Sequence, residues 1–547
     1  MTGLNRPRLV FSAILLATIG LGARGITDEA SVMLTGDTAR YVMNGVFFHD
    51  LIADGGVRSY DDLTQYALRY YARYPALSLG HHPPLLSLAM VPSFAVFGVS
   101  VFSARLVALM FFVLAAWSLY ALANRLYGWQ GASWATLLFV TNEHVLRFGQ
   151  YVLSEMPMVA LVLVSVNALL LYCDTGKTKY FVWFVVCSAA SLYAKQLALF
   201  MFPVYGAILV ARLGWRCLLR RHVIVMTGIG ALLVAPLVVM TLALSPANVN
   251  LATFNVTRLA TGNRQMPVSS IIARIVSGHL SLPTLLAVIA GSVVLAVRRD
   301  RRIIVGLVWA LAVIGGTVAF AGGIEPVRYA FLALPAYFLL AAGLLVSGQS
   351  PTSRWAVIVV MSSALLWQSW LVRNVRPMGA GGYQQAAEYV VAHSTQPVVL
   401  FDSSLDTGYF VFFVRKHDPG GRLIVLRADK VMTTRQVDPA GPGSRVHSRD
   451  QFYSLLRRFG VQLVVVEERR AGPFALRLLH DELKTDRFAE RRRIPIESRD
   501  MQARDLDLVI YEFTQAQPAD PDAELDFDLP LANREIKLRL KDLLAGR

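Results

Sequence analysis

Charged residues are scarce in this chain of 547 residues: only 16% are Asp, Glu, Lys or Arg, whereas 55% are hydrophobic. Soluble globular domains carry about 25% charged residues, so a chain built only of soluble domains is excluded. The scarcity is local, because charges are sparse before residue 373 and dense after it. The sequence therefore predicts a membrane body, residues 1–372, followed by a soluble domain, residues 373–547.

Cysteine is also rare, since Cys173, Cys187 and Cys217 are the only three in the chain. All three lie in or beside apolar segments, and none has the CxxC spacing typical of a metal site. The predicted soluble domain contains no cysteine. A disulfide framework there is therefore excluded, and we expect the cysteines to be packing residues.

Acidic residues are outnumbered by basic ones, which gives the chain a formal net charge of +16. A basic excess can indicate nucleic-acid binding. Much of this excess, however, sits in short clusters between apolar runs, such as the four arginines within 298–302. Such clusters are typical of cytoplasmic loops in membrane proteins, so we expect a membrane and no nucleic acid as partner.

Apolar runs of helical length predict a polytopic α-helical membrane protein with about eleven spans. The predicted spans are residues 9–23, 104–123, 132–148, 156–173, 180–194, 197–211, 222–244, 283–297, 303–320, 329–347 and 355–372. Residues 83–98 are apolar but contain three prolines, and a span there would put the later basic clusters on the wrong side. We therefore predict an interfacial or re-entrant helix for this segment.

The basic residues indicate the orientation of the spans. With a cytoplasmic amino terminus, the cytoplasmic loops contain most of the basic residues between spans, while the external loops 149–155 and 321–328 contain only Arg328. This distribution follows the positive-inside rule. It predicts a multi-pass protein of the bacterial inner membrane with residues 373–547 in the periplasm.

The first external loop, residues 24–85, contains an aromatic stripe at helical spacing that includes Tyr66, Tyr70 and Tyr74. Two interpretations are open: a helix lying in the lipid headgroup layer, or a helix packed against other protein. Asp37 stands just before another predicted helix, where the residues alone indicate an N-cap.

The soluble domain alternates strand-like and helix-like patterns, which predicts a small α/β fold with a mostly parallel sheet. The predicted strands are residues 397–401, 423–426, 463–466 and 508–511, and the helices between them are residues 451–459 and 474–483.

Several separated motifs occur in a specific order over roughly the first 350 residues. They are Gly36-Asp37-Thr38-Ala39-Arg40-Tyr41, His82-Pro83-Pro84-Leu85, Phe97-Gly98-Val99-Ser100, Ala104-Arg105-Leu106, Ser154-Glu155-Met156-Pro157, Ala194-Lys195 and Arg328-Tyr329. Because these motifs occur in this order, the chain resembles GT-C-type membrane glycosyltransferases of family 39. This family contains the bacterial relatives of protein O-mannosyltransferases and of the lipid A aminoarabinose transferase.

The resemblance implies an enzyme that moves a sugar from a polyprenyl-phosphate donor to an envelope lipid, glycan or protein. It implies that Asp37 lies at the reaction centre, where we assign it the role of base in an inverting reaction. Glu155 is the second candidate catalytic residue, and three roles are open for it: an acid that orients the acceptor, a metal ligand or an ordinary polar loop residue. The family usually has aspartate where this chain has Glu155, whose side chain is one methylene longer. Arg40, Lys195 and Arg328 are the candidates to bind the donor phosphate. Lys195 and Arg328 match family positions, and the alternative for these two is snorkelling toward the lipid headgroups.

His82 occupies a position that is often Lys or His in the family, and His81 stands beside it. Together with Glu155, these histidines offer nitrogen and oxygen ligands of the kind that zinc accepts. Their spacing is not a recognised metal motif, so the resemblance leaves a divalent metal open and implies no certain cofactor.

Two other functions also remain open. Many spans with few charges would suit a secondary transporter or flippase of envelope intermediates. Transporters often contain internal repeats, however, and none is visible in this sequence. An inactive partner subunit in envelope glycan assembly is the other alternative. The sugar, the acceptor and the length of the carrier chain are not determined by the sequence.

Overall fold

The structure is a computed structural model. It describes residues 6–28, 36–55, 60–261, 266–321, 325–346, 351–376, 379–403, 408–434, 443–468, 472–498, 506–529 and 534–544.

The chain divides into two compact units. The membrane unit comprises Met1–Ile26, Gly80–Leu86 and Arg105–Arg376. The composite unit comprises Thr27–Leu79, Ser87–Ala104 and Pro377–Arg547. The first external loop therefore groups with the carboxyl-terminal domain, whereas the sequence predicted one boundary between residues 372 and 373. Hydrophobicity separates membrane from soluble segments, but it does not report which soluble segments pack together.

Apolar helices make up the membrane unit. They are Arg6–Gly22, Val101–Val140, Glu143–Gln150, Glu155–Thr175, Thr178–Ala194, Phe202–Leu213, Arg221–Leu244, Pro246–Ala260, Val268–His279, Leu282–Val297, Arg302–Ala321, Pro326–Tyr329, Leu334–Ala342 and Pro351–Val372. Short 3-10 segments occupy Gln196–Met201, Trp215–Leu219, Phe331–Ala333 and Gly343–Val346. Large side chains such as Phe112, Phe139 and Trp309 are fully buried in its core.

Six helices in the described part of the chain are long and apolar enough to cross a membrane. A seventh span results if Val268–His279 and Leu282–Val297 are taken together, although the chain bends by 108° between them. All eleven predicted segments coincide largely with helices, so the multi-pass helical fold is confirmed, while the number eleven stays a prediction. The predicted spans 104–123 and 132–148 fall largely within Val101–Val140, which consists of two helices that meet at a kink at Gly128, where φ is 76°.

The second of these predicted spans extends too far. The helix ends at Val140, and a new helix, Glu143–Gln150, begins after Asn142, whose side chain accepts hydrogen bonds from the amides of His144 and Val145. An asparagine that caps a helix inside an apolar run produces this break, because its side chain competes for the backbone amides.

The composite unit contains a five-stranded sheet in the order Ile424–Arg427, Val398–Asp402, Val461–Glu467, Asp507–Phe513 and Phe488–Pro495. Its helices are Gly36–Asp54, Tyr60–Arg73, Leu85–Phe97, Tyr383–His393, Tyr409–His417, Ala428–Val431, Arg449–Arg458, Phe474–Glu482 and Leu540–Leu544. Two short hairpins pair Thr433–Thr434 with Gly443–Ser444 and Glu524–Leu529 with Arg534–Arg539.

The four predicted strands and two predicted helices of this domain are present, but the prediction of a mostly parallel sheet was wrong. The first three strands in the sheet order are parallel, whereas Asp507–Phe513 runs antiparallel to both of its neighbours. Strand Phe488–Pro495 has the sequence Phe-Ala-Glu-Arg-Arg-Arg-Ile-Pro, and its four consecutive charged residues do not form the apolar run that predicts a buried strand.

The aromatic stripe of the first external loop packs against protein within the composite unit. The rings of Tyr66 and Tyr70 lie 5.7 and 5.3 Å from the ring of Phe47. On the same helix, Ala72 is part of the hydrophobic core that includes Val398 and Val464 of the sheet. Of the two interpretations of this helix, packing against protein is the one that these contacts support.

Candidate active site

Glu155 lies in the first turn of helix Glu155–Thr175, and its side chain is completely buried. The positive end of the helix dipole favours a carboxylate at this position. Burial of a charge is nevertheless costly unless the charge is paired and hydrogen-bonded. The partners of this carboxylate therefore decide what it does.

Two cations bind one oxygen of Glu155. Lys195 Nζ and Arg328 Nε each donate a hydrogen bond of 2.6 Å to Oε1. Among the residues that the structure describes, none forms a hydrogen bond to the second oxygen, Oε2. We call Glu155, Lys195 and Arg328 the basic cluster, because two cations surround a single buried anion.

Lys195 and Arg328 are held by short irregular segments. Lys195 adopts an extended conformation directly after helix Thr178–Ala194, and Arg328 lies in the single turn Pro326–Tyr329. Their side chains are only 13% and 17% exposed. Snorkelling toward lipid headgroups is thus not their arrangement, since both cations contact a fully buried carboxylate.

Neighbouring residues complete the basic cluster. Lys195 Nζ lies 5.4 Å from the centre of the Tyr329 ring, within the range of a cation–π contact. Arg328 Nη1 also donates to Glu325 Oε2 at 3.2 Å, and Glu325 is more than half exposed. Sequence reasoning did not identify Glu325, although a carboxylate beside Pro326 in a predicted external loop was an available signal.

A second residue that sequence reasoning missed supports the segment that carries Arg328. His279 Nε2 donates to the backbone oxygen of Val327 at 2.7 Å, and Asn142 Nδ2 donates to the backbone oxygen of His279 at 2.8 Å. The backbone of Gly278 approaches Val327 so closely that a Cβ at Gly278 would lie 2.6 Å from Val327 Cγ2. These contacts join residues that are far apart in the sequence, so no pattern of neighbouring residues predicts them.

Asp37 and Arg40 belong to the composite unit. Asp37 lies within the first turn of helix Gly36–Asp54, not before the helix as the sequence indicated. Its Oδ1 lies 3.7 Å from Arg40 Nη1, one turn further along, and the two side chains are 26% and 35% exposed. The structure therefore places Arg40 beside a carboxylate, whereas the sequence indicated a partner phosphate.

His81 and His82 are neighbours in the membrane unit, with ring centres 4.7 Å apart, and His81 Nδ1 lies 3.2 Å from Ser245 Oγ. In the described parts of the chain, no group of three or more His, Cys, Asp or Glu side chains has an arrangement that could hold a metal ion. Glu155, the third expected ligand, uses Oε1 to bind Lys195 and Arg328. The metal at these three residues remains an untested prediction.

The family model described as dolichyl-phosphate-mannose-protein mannosyltransferase matches residues 81–240 of the chain. No curated protein matches it by sequence. The solved structures that are similar in fold include two of an ArnT and one of an oligosaccharyltransferase. The apo structure of ArnT from Cupriavidus metallidurans has 14% identity and a TM-score of 0.59, with 93% of this chain and 98% of that chain covered.

The structure of the same ArnT bound to undecaprenyl phosphate has 13% identity and a TM-score of 0.60, and the match covers 93% of this chain and 99% of that chain. An Archaeoglobus fulgidus oligosaccharyltransferase in complex with zinc and sulfate has 13% identity and a TM-score of 0.52, over 83% of this chain and 68% of that one. The resemblance to GT-C-type membrane glycosyltransferases is confirmed by the family model and the shared fold. The chain is a multi-pass membrane protein.

Proposed function

We propose that the protein transfers a sugar from a polyprenyl-phosphate donor to an envelope lipid, glycan or protein on the periplasmic face of the bacterial inner membrane. The observation that carries this proposal is the basic cluster, in which a buried carboxylate fixes Lys195 and Arg328. The ArnT structure of the same fold was determined with undecaprenyl phosphate bound, which supports a donor of this class.

In this proposal, Lys195 and Arg328 bind the phosphate of the donor. An ammonium has three N–H donors and a guanidinium has five, so each can contact the phosphate while it also contacts Glu155. Positive charge fixed in advance stabilises the negative charge that develops on the departing phosphate. Glu155 acts by orienting the two cations, so we assign it a positioning role instead of direct contact with the acceptor.

The proposed transfer step needs one general base. An acceptor hydroxyl or amine attacks the anomeric carbon while the bond from that carbon to the phosphate oxygen breaks. The acceptor's proton passes to the Asp37 carboxylate, and polyprenyl phosphate leaves with the bonding electron pair. A single displacement of this kind inverts the anomeric centre.

Arg40 has two proposed roles. The sequence indicated contact with the donor phosphate, but its position 3.7 Å from Asp37 favours a role in orienting the base. An Arg40→Lys variant distinguishes the two roles through the Michaelis constant for the donor. That constant rises if Arg40 binds phosphate and is unchanged if Arg40 acts only on Asp37.

The decisive experiment compares the purified native protein with Asp37→Asn and Asp54→Asn variants. Each is tested for transfer from a panel of polyprenyl-phosphate sugars to an extract of envelope lipids, glycans and proteins. Asp54 is the matched control, because it lies at the other end of the same helix and accepts a hydrogen bond from Tyr66.

We expect transfer by the native protein and the Asp54 variant, and a loss of about a hundredfold or more in the Asp37 variant, the effect of a missing general base. Equal transfer by both variants would refute the role of Asp37. If no donor supports transfer by the native protein, substrate flux in sealed vesicles would favour a transporter, and its absence a partner subunit.

A further inference from the structure

A buried ion pair within the composite unit joins two segments that are 365 residues apart in the sequence. Arg415 Nε donates to Asp50 Oδ2 at 2.8 Å, and Arg415 Nη2 donates to Asp50 Oδ1 at 2.7 Å. Asp50 belongs to helix Gly36–Asp54, and Arg415 belongs to helix Tyr409–His417 of the carboxyl-terminal domain. Asp50 is 5% exposed and Arg415 is 9% exposed. This two-pronged geometry fixes both distance and orientation.

A third buried side chain completes the pair. Tyr70 donates its hydroxyl hydrogen to Asp50 Oδ2 at 2.7 Å. Burial, together with the Asp50 carboxylate, raises the pKa of Tyr70 well above its usual value, so the hydroxyl remains a donor. Burial opposes the charge on Arg415, but Asp50 outweighs it and raises the pKa of Arg415 above its usual range. Arg415 therefore stays charged at physiological pH.

Other contacts connect the first external loop to the sheet in the same unit. Arg427, at the end of strand Ile424–Arg427, donates from Nη1 to the backbone oxygen of Pro75 at 3.0 Å. Arg73 Nη2 donates to the backbone oxygen of Leu543. The loop is thus held against the carboxyl-terminal domain by buried polar contacts as well as by apolar packing.

The helix held by Arg415 is the helix that begins at Gly36 and carries Asp37. Asp50 follows Asp37 by 13 residues, which corresponds to about 20 Å along a continuous helix. Closer to Asp37, Ser87 donates to the backbone oxygen of Tyr41 at 3.0 Å. Asp50 and Tyr41 are therefore two points at which buried side chains hold this helix, and loss of the ion pair would leave its Asp50 end without the charged one.

We propose that Arg415 is a positioning residue for catalysis, which fixes the Asp37 helix through its buried ion pair with Asp50. The inference rests on the proposed role of Asp37 as base. It gives the carboxyl-terminal domain a function in the reaction, because that domain supplies the group that orients the helix. Misplacement of a catalytic group by about 1 Å can lower a rate by about a hundredfold.

The test compares Arg415→Met and Arg415→Lys with Arg449→Met in the full-length protein. Methionine removes the charge, and lysine keeps the charge but loses the two-pronged contact. Arg449 is the matched control, because its Nε lies 2.6 Å from the buried Glu482 within the same domain. Two quantities are measured: hydrogen exchange of peptides from Gly36–Asp54, and the steady-state constants for transfer.

We expect Arg415→Met to increase exchange in Gly36–Asp54 and to lower kcat by about tenfold or more, with the Michaelis constant for the donor within about twofold of native. For Arg415→Lys, both the exchange and kcat should lie between the values for Arg415→Met and those for the native protein. Arg449→Met should resemble the native protein in both measurements. Unchanged exchange in strand Val461–Glu467 verifies that the sheet remains folded.

Native exchange of the helix in Arg415→Met would overturn the inference, and so would increased exchange accompanied by a native kcat. A failure of the proposed function is distinguishable from both results. In that case the native protein transfers no sugar from any donor, while hydrogen exchange still reports whether Arg415 holds the helix.

Discussion

Replacement of Glu155 by glutamine is the sharpest perturbation of the basic cluster. Glutamine keeps the size of the side chain and one oxygen acceptor, but it removes the negative charge. Lys195 and Arg328 then lose a charged partner at 2.6 Å, and two neighbouring cations face each other without an anion between them. We expect both cations to lose their fixed orientation.

The magnitude follows from the burial of Glu155. Hydrogen bonds to charged groups contribute about 1.5–3 kcal/mol each, and removal of one member of a buried ion pair costs about 3–5 kcal/mol. Glutamine retains part of the contact, so we expect the free energy that holds Lys195 and Arg328 in place for the transition state to fall by about 3 kcal/mol. At about 1.4 kcal/mol per tenfold, kcat/KM for the donor should fall by about a hundredfold.

The assay is steady-state transfer from the polyprenyl-phosphate donor, measured beside two other variants. Glu155→Asp keeps the charge but shortens the side chain, so its kcat/KM should lie between those of the native protein and Glu155→Gln. Glu143→Gln is the control, because Glu143 pairs with Arg147 at 2.6 Å but both side chains are 34% exposed. An exposed pair of this kind is worth about 0.5 kcal/mol, so the control should retain nearly native transfer.

A value of kcat/KM for Glu155→Gln within about threefold of the native value, corresponding to less than about 0.7 kcal/mol, would refute the reasoning. It would mean that the charge on Glu155 does not orient the two cations. A large and equal loss in the control Glu143→Gln would point instead to general instability of this region.

Two further perturbations test the residues that support each unit. Gly278→Ala places a Cβ 2.6 Å from Val327 Cγ2 and should lower kcat/KM for the donor by about tenfold, the lower part of the 1–3 kcal/mol cost of overpacking. Gly315→Ala meets no atom within 4 Å and should leave transfer native. Tyr70→Phe removes the 2.7 Å hydrogen bond to Asp50 but keeps the ion pair. The free energy of unfolding should fall by about 1.5–3 kcal/mol, so Tyr70→Phe should lower the thermal unfolding midpoint less than Arg415→Met does. An equal or larger decrease would contradict the central role of the ion pair.

The sequence predicted the helices of the membrane unit well, because apolar runs of helical length are local features. Its errors occurred at positions where one side chain overrides the pattern. Asn142 caps a helix inside an apolar run, and the predicted span 132–148 therefore breaks there. The four predicted strands followed from short apolar runs, but strand direction depends on connections that no single run contains.

For the candidate site, the sequence identified residues but not their contacts. Glu155, Lys195 and Arg328 were selected from motifs, with Glu155 assigned to the catalytic centre and open as a metal ligand. The structure joins all three through one oxygen of Glu155. Their separation along the chain is 40 residues in one case and 173 in the other, so no local spacing predicts the contact.

Hydrophobicity, charge distribution and ordered motifs by themselves determined that this is a multi-pass membrane protein that resembles GT-C glycosyltransferases and has an α/β domain at its carboxyl terminus. These properties follow from transfer free energies and backbone propensities, which are summed over neighbouring residues. Only the tertiary structure decided which charges are paired, as in the basic cluster and between Asp50 and Arg415. A buried charge must find a partner of opposite sign wherever the chain supplies one, and the fold brings that partner from any distance along the sequence.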